Sequence, residues 1–381
     1  MDFSTIRYPT EIKFGWNTLS IVPEELKGVK KNRPLVVTDK NMLPLKNFKE
    51  LTALLKREDV HFSVFSDTEG NPYKSHVEEG VKAFHAHKAD SILAMGGGCA
   101  LDVAKAIALM VHHEGDLFEY EDGSEGAREV NGDIPWIMAI PTTAGTGSEV
   151  GGSSVISDDM THRKVIIWSP RLIPSLVIAD PQLLVSLPKS VTAATGIDAL
   201  THNMEAFLAK GFHPLSDGIA LEGIRLIHKS LVKCYHSPED KEARSDLLMA
   251  SMMGAIAFQK GLGVNHSCAH ALSALFDLHH GMANALMMVP SMKFNKEVCP
   301  ERFVRMAEII GIEGSKEEKI DGFISWLVDL KADLEIPGGL RDFSVVLSDE
   351  LNQKSFEDPC HGSNPRKCTV DDFKQLFNEA Y

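Results

Sequence analysis

The sequence predicts two domains of different class: an α/β domain built on a parallel sheet over residues 1–185, and an all-helical domain over residues 186–381. Three observations predict it. Short apolar, β-branched runs alternate with helix-patterned segments through the first half, which is how strands joined by crossover helices read. That alternation stops near Asp180-Pro181, and from about Leu187 apolar residues recur at helical spacing. Just beyond the change, Pro188 can open a helix, where its missing N–H is not needed.

In chain order, Thr10 to Phe14 reads as an edge strand and Pro34-Leu35-Val36-Val37-Thr38 as a buried one. A helix follows over Phe48 to Arg57, a strand over Val60 to Phe65 and a helix over His76 to His87. Ser91-Ile92-Leu93-Ala94-Met95 is a further strand that runs into three glycines and a helix; Trp136 to Ile140 and Ser175 to Ala179 complete the set. Helices are predicted over Pro214 to Cys234, Lys241 to Lys260, Pro300 to Ile310, Glu317 to Leu330 and Val370 to Glu379. No internal repeat or low-complexity tract interrupts this plan.

A chain of 381 residues with 44% hydrophobic and 24% charged residues can bury two cores, which excludes disordered and fibrous classes. The net charge of −14 opposes nucleic acid or an anionic membrane as partner, since both need a basic footprint. Cysteines at 99, 234, 268, 299, 360 and 368 form no Cys-x-x-Cys pair and no disulfide framework, so a reducing compartment is expected. Residues 1–7 lack the basic-then-apolar pattern of a secretory leader, and no apolar run approaches about 18 residues. The expected location is cytoplasmic.

Chemistry concentrates between Gly196 and Gly281. Asp198 and His202 lie four apart in a segment without proline, so in a helix they share one face. His266 and His270 repeat that spacing, and His279-His280-Gly281 follows. One such pair is ordinary on a helix; two pairs with a third histidine element point to a metal site. Imidazole and carboxylate donors suit Fe(II), Zn(II), Co(II) or Ni(II) and are poorly matched to calcium or magnesium.

The first domain carries nucleotide signals. Gly96-Gly97-Gly98 joins a strand to a helix, where backbone N–H groups and the helix N-terminus can receive a diphosphate. Asp39 ends the Val36-Val37-Thr38 strand at the edge where α/β domains bind ligands, so its charge can hold a ribose and repel a 2′-phosphate, selecting NAD; equally it can be a helix N-cap. Pro141 to Val150 clusters small hydroxyl residues and glycines after another strand, which suits hydrogen bonding to phosphate or carboxamide as well as a simple turn.

Together these segments, Gly96-Gly97-Gly98 with Asp102 and Lys105, Pro141-Thr142-Thr143-Ala144-Gly145-Thr146-Gly147-Ser148-Glu149, Asp180-Pro181, Gly196-Ile197-Asp198-Ala199-Leu200-Thr201-His202 and His280-Gly281, resemble the iron-containing (type III) alcohol dehydrogenases. The likeness runs from Lys13-Phe14-Gly15 to Asn364-Pro365-Arg366. It implies the architecture shared with dehydroquinate synthase: a dinucleotide-binding α/β domain followed by an all-α metal-binding domain. It further implies that Asp198, His202, His266 and His280 bind the metal, Fe2+ with Zn2+ or another divalent transition metal as the alternative. By the same likeness His270 lies beside the site as a non-ligand near the nicotinamide, and Cys360 approaches the substrate pocket, these two being the implied catalytic residues. NAD contacts are implied for Asp39, Asn71, Gly97, Gly98, Asp102, Thr142, Thr143 and Lys164. A homo-oligomer, most simply a dimer, is implied as well.

The chain departs from the pattern at Cys99, where a serine is usual, and at Gly152, where related sequences often carry arginine. Lys260, in Phe258-Gln259-Lys260, is either a cation for an anionic substrate or an ordinary helix-end lysine. The expected reaction is hydride transfer between a short-chain primary alcohol, or its aldehyde, and NAD in the interdomain cleft. Two other readings share these features: a metal enzyme of the glycerol dehydrogenase or dehydroquinate synthase kind, and a non-catalytic protein that responds to metal or nucleotide.

Overall fold

The computed structural model describes residues 10–68 and 70–381; the segment Met1 to Arg7, read above for a leader, lies outside them. Its strands are β1 (Glu11–Phe14), β2 (Pro34–Val37), β3 (Ser63–Phe65), β4 (Ser91–Gly96), β5 (Trp136–Pro141), β6 (Ser153–Ser157), β7 (Lys164–Trp168) and β8 (Leu176–Ala179). Helices α1 (Val22–Gly28), α2 (Lys46–Arg57), α3 (Lys74–His87) and α4 (Gly98–Met110) alternate with the first strands. The rest of the chain is helical: α5 (Lys189–Leu208), α6 (Pro214–His236), α7 (Lys241–Ala257), α8 (Val264–Phe276), α9 (His280–Lys296), α10 (Pro300–Ile309), α11 (Lys316–Asp333), α12 (Asp349–Glu357) and α13 (Val370–Ala380).

Six strands form one all-parallel sheet in the order β1-β8-β5-β4-β2-β3. Every residue of β2 and β4 is buried, as in a sheet covered on both faces, which is why these strands read as continuous apolar runs. β1 and β3 lie at the edges and are partly exposed. β3 begins later than the sequence suggests because the Val60 N–H closes the end of α2 on the Leu55 carbonyl, and the His61 N–H bonds to Asn32. β6 and β7, which no sequence signal had separated from loop, form an antiparallel pair beside α4.

The core of this unit joins Leu35, Ile92, Ala94, Ile107, Ile137 and Ala139 from the sheet and α4. In the helical unit α5 is buried along its whole length from Thr192 to Leu208, with α6, α7 and α9 packed against it. A second core gathers Leu272, Leu286, Met287, Leu351, Phe373 and Phe377 from α8, α9, α12 and α13. α7 ends at Ala257, three residues short of the predicted Lys260, and a 3-10 turn over Phe258–Lys260 runs into Gly261 at φ +126°, a conformation open mainly to glycine.

Contacts divide the described chain into two compact units. One comprises residues 10–143 and Ser148–Val185; the other comprises Ser186–Tyr381 together with the four residues Ala144–Gly147. Among the described residues no single helix is long and apolar enough to cross a membrane.

Candidate functional site

Asp198, His202 and Glu205 stand at spacings of four and three on α5, so one face of a fully buried helix carries a carboxylate, an imidazole and a second carboxylate. α8 supplies His266 in its first turn, and His280 is the first residue of α9. The start of α9 can approach α5 because residue 281 is glycine: a Cβ there would lie 2.4 Å from the Ala194 carbonyl oxygen.

The structure brings Asp198, His202, His266 and His280 together, with one donor atom from each within 4.8 Å of the others. Asp198 Oδ1 lies 3.9 Å from His202 Nε2, 3.9 Å from His266 Nε2 and 3.4 Å from His280 Nε2. The His202 and His266 rings stack with centroids 4.6 Å apart. Of the four side chains only His280 is substantially exposed, at 26%, so the set is open on that side.

Hydrogen bonds fix which nitrogens face inward. His266 Nδ1 pairs with Glu205 Oε2 at 2.6 Å, and His202 Nδ1 with the Gly145 carbonyl at 3.3 Å, which places the proton on Nδ1 and leaves the Nε2 lone pair toward the centre. Glu205 in turn accepts from the Gly263 and Asn265 N–H groups at the start of α8. Burial pushes His202 and His266 down to about 4, so both are neutral and able to donate a lone pair at neutral pH. Burial also pushes the Glu205 carboxyl up to about 7, against the pull of those backbone donors.

Among the described residues the partners of Asp198 and Glu205 are imidazoles, amide groups and backbone N–H groups, with no lysine or arginine. One carboxylate and three imidazoles, with Glu205 behind His266, make a donor set that fits a divalent transition metal.

His270 lies outside this set but against it, its ring stacked on His280 at 5.3 Å. Its Nδ1 bonds to Asp358 Oδ2 at 2.7 Å, and Asp358 Oδ1 accepts from Ser267 Oγ and the Cys360 N–H, both at 2.9 Å. Burial alone would raise the Asp358 carboxyl; the charge and hydrogen bond of His270 outweigh it and hold the group well below the usual carboxylate range. Cys360 Sγ is 3.9 Å from His270 Nδ1, and burial pushes its thiol well above the ordinary value, which favours the neutral form. His279, exposed, stands just outside α9.

The residues expected to contact NAD all fall in the α/β unit. β2 and β4 are neighbours in the sheet, so Asp39 and Gly96 emerge side by side at its C-terminal edge. A Cβ on Gly96 would lie 2.7 Å from Ala100 Cβ and 3.6 Å from Asp39 Oδ2, and one on Gly97 would meet Thr143 at 3.3 Å. This is a cradle with no room for side chains at the start of α4, where Gly98 opens the helix, and it fits a dinucleotide's diphosphate. Asp39 Oδ1 accepts from the Asn41 and Met42 N–H groups, so it caps a turn, whereas the N-cap of the next helix is Leu45. Thr142 is buried beside Met42. Lys164 pairs with Ser157 across the hairpin, and Ser157 bridges Tyr73, two residues beyond Asn71.

Asp102 is differently placed: Oδ1 accepts from Ser148 Oγ at 2.5 Å and Oδ2 from the Val155 N–H at 3.1 Å, with the buried Lys105 Nζ 3.6 Å away. Its carboxylate is taken up in tying α4 to β6. Burial pushes the Cys99 thiol, near the glycines, up to about 12, so it adds no charge to the cradle. Gly152 admits no side chain here, since a Cβ would sit 2.4 Å from the Ser169 carbonyl oxygen. Lys260 proves to be structural: its amine, almost fully buried, pairs with Asp217 and the Phe207 carbonyl at the end of α5. It offers no cation to an anionic substrate.

Sequence reasoning missed Glu205, Asn265, Asn284 and Asp358. Glu205 and Asn284 were within reach, because each repeats the helical spacing of a recognised residue, three beyond His202 and four beyond His280. Asp358 gave no such signal; it reaches His270 across 88 residues.

Two family descriptions match: iron-containing alcohol dehydrogenase over residues 9–181, and the C-terminal region of the Fe-containing alcohol dehydrogenase family over residues 192–381. The 4-hydroxybutyrate dehydrogenase of Cupriavidus necator is 33% identical over 387 residues, spanning 98% of this chain and 99% of that protein. Among solved structures, a 1,3-propanediol oxidoreductase superposes with a TM-score of 0.94 at 33% identity, covering 99% of this chain and 100% of that one. The sulfoacetaldehyde reductase of Bifidobacterium kashiwanohense in complex with NAD+ superposes with a TM-score of 0.90 at 27% identity, covering 100% and 99%.

Proposed function

This chain belongs to the iron-containing alcohol dehydrogenase family, and from that premise we propose that Asp198, His202, His266 and His280 hold a divalent metal, iron before zinc, at the reaction site. It is an NAD- and metal-dependent oxidoreductase that interconverts alcohols and aldehydes. The observation that carries the site is the donor set itself, Asp198 with three imidazoles, in which Asp198 and the supporting Glu205 have no lysine or arginine partner among the described residues.

A divalent cation supplies Lewis acidity toward the alcohol or carbonyl oxygen, and NAD takes or gives the hydride. The chain's own residues do the rest. Glu205 and the Gly145 carbonyl hold His266 and His202 in the tautomer that turns Nε2 inward. Asp358 fixes the Nδ1 proton of His270, leaving Nε2 as the atom that takes the hydroxyl proton or returns it. Gly97, Gly98 and the start of α4 bind the diphosphate, Thr142, Thr143, Asn71 and Lys164 the remainder of NAD, and Asp39 the ribose. Cys360, a neutral thiol beside His270, lines the substrate side without bonding to the substrate.

The substrate class is a short-chain primary alcohol and its aldehyde, in line with the small substrates in the names of the relatives. A cytoplasmic homodimer belongs to the same reading; six free cysteines support a reducing compartment, and light scattering reads the oligomer. The test is an anaerobic NADH-linked assay of short aldehydes with iron- or zinc-loaded protein. Steady turnover that chelation abolishes and reloading restores is expected. Stoichiometric NADH binding without turnover would instead mark a nucleotide-responsive binding protein.

A further inference from the structure

Asn284, fully buried four residues after His280 on α9, points its amide at the donor set. Nδ2 donates to Asp198 Oδ1 at 2.7 Å and lies 3.2 Å from His280 Nε2 and 3.5 Å from His266 Nε2. An amide nitrogen and oxygen look alike in outline, so the orientation must be argued from its partners. Asn265, also fully buried, decides it. Its Nδ2 donates to Asn284 Oδ1 at 2.7 Å and lies 3.4 Å from the Asn284 backbone carbonyl, two acceptors that only an NH2 can satisfy together. With its oxygen committed to Asn265, Asn284 can turn only hydrogens toward Asp198 and the imidazoles. Asn265 is anchored in turn, since its backbone N–H donates to Glu205 Oε1 at 2.7 Å. Turning Asn265 over would set its oxygen against two acceptor oxygens of Asn284.

We propose that Asn284 is a positioning residue that limits the metal to four protein donors: locked by Asn265, its amide steadies Asp198 and withholds the carbonyl oxygen that would otherwise be a fifth ligand. This inference rests on the reading that Asp198, His202, His266 and His280 bind the metal. An N–H donor beside the carboxylate holds its orientation and spreads its buried charge. An amide oxygen in the same place would coordinate, and would occupy a position that a catalytic metal keeps for substrate.

Cobalt(II) is the probe, because its visible absorption weakens as coordination rises from four, and competition with a chromophoric chelator gives its affinity. Wild type is compared with Asn284→Ala and with the near-isosteric Asn284→Asp, each checked for native circular dichroism. Asn284→Ala is expected to weaken cobalt binding about 10–100-fold with an altered band. Asn284→Asp, which keeps the volume and carries the test if the alanine variant does not fold, is expected to bind cobalt with a fainter, higher-coordinate band. Unchanged affinity and spectrum in the folded variants, with wild type binding normally, would overturn the role of Asn284 alone. Wild type that takes up no cobalt would overturn the four-donor reading and this role with it.

Discussion

Asp102 on α4, partly buried at 14% exposure, and Asp198 on α5, buried at 2%, are both helix carboxylates with a basic residue one turn on, yet they are completed in opposite ways. Asp102 has Lys105 three residues later, Ser148 between the two, and a backbone N–H on its second oxygen, so its charge and lone pairs are met within the chain. Asp198 has His202 four residues later, neutral by burial, then two further imidazoles and an amide. One arrangement is electrically finished and acts as a clasp. The other has no cationic partner among the described residues, which suits a carboxylate that binds a metal.

The comparison breaks if the two carboxylates can be exchanged in role. Asp198→Ala is expected to lose bound metal and to bring turnover down to the level of chelated wild type, while circular dichroism and melting stay close to wild type. Asp102→Ala is expected to do the reverse, destabilising the fold by about 3 kcal/mol because the buried Lys105 loses its nearest counter-charge and keeps only Ser148 and the Ser153 carbonyl as hydrogen-bond partners, with metal content retained. Equal loss of stability in the two variants would remove the distinction.

pH sharpens it. Glu149, next to the clasp, is almost fully buried, has one carboxyl oxygen without a partner, and is pushed by burial up to about 7. Its native state therefore binds more proton than the unfolded chain between about 4.5 and 7, so its contribution to stability falls as pH rises through that window. Glu149→Gln is expected to stabilise the protein on the order of 2–3 kcal/mol at pH 8 and little at pH 4.5, read by melting at both values. In the donor set the shift runs the other way. His202 and His266, pushed down to about 4, destabilise the fold as pH falls from 6.5 toward 4, because the unfolded chain takes up protons that the native site refuses.

The smallest expected effect is at the cofactor edge. Asp39→Asn keeps an oxygen for the Asn41 and Met42 N–H groups but removes the charge, so NADP use should rise relative to NAD on the order of ten-fold, about 1.4 kcal/mol. An unchanged ratio of kcat/KM for the two cofactors would leave Asp39 as a cap only.

What could be read from the sequence was what short-range pattern encodes. The continuous apolar runs of β2 and β4 announced buried parallel strands, and the four-residue spacings on α5 and α8 announced one-sided side chains. The order in which β1 comes to lie beside β8 is set by packing between segments some 160 residues apart and leaves no local trace. β6 and β7 went unseen because each is only five residues long: β6 is three-fifths serine, and the Val-Ile-Ile run of β7 carries no alternation. In the site, the donors were legible because metal chemistry restricts residue type, whereas Asn265, Asn284 and Asp358 act through hydrogen bonds that many polar residues could make. Lys260 shows the opposite failure: a charge that looked available is spent on Asp217.

The central claim is that the metal is held by one carboxylate and three imidazoles, not by the neighbouring His270, Asp358 and Cys360, whose donor atoms also cluster. X-ray absorption at the metal edge of the iron- or zinc-loaded chain separates the two directly. The account predicts a shell of nitrogen and oxygen only, with multiple scattering from three imidazoles. A sulfur neighbour, at about 2.3 Å for zinc, would put the ion on Cys360 and contradict it.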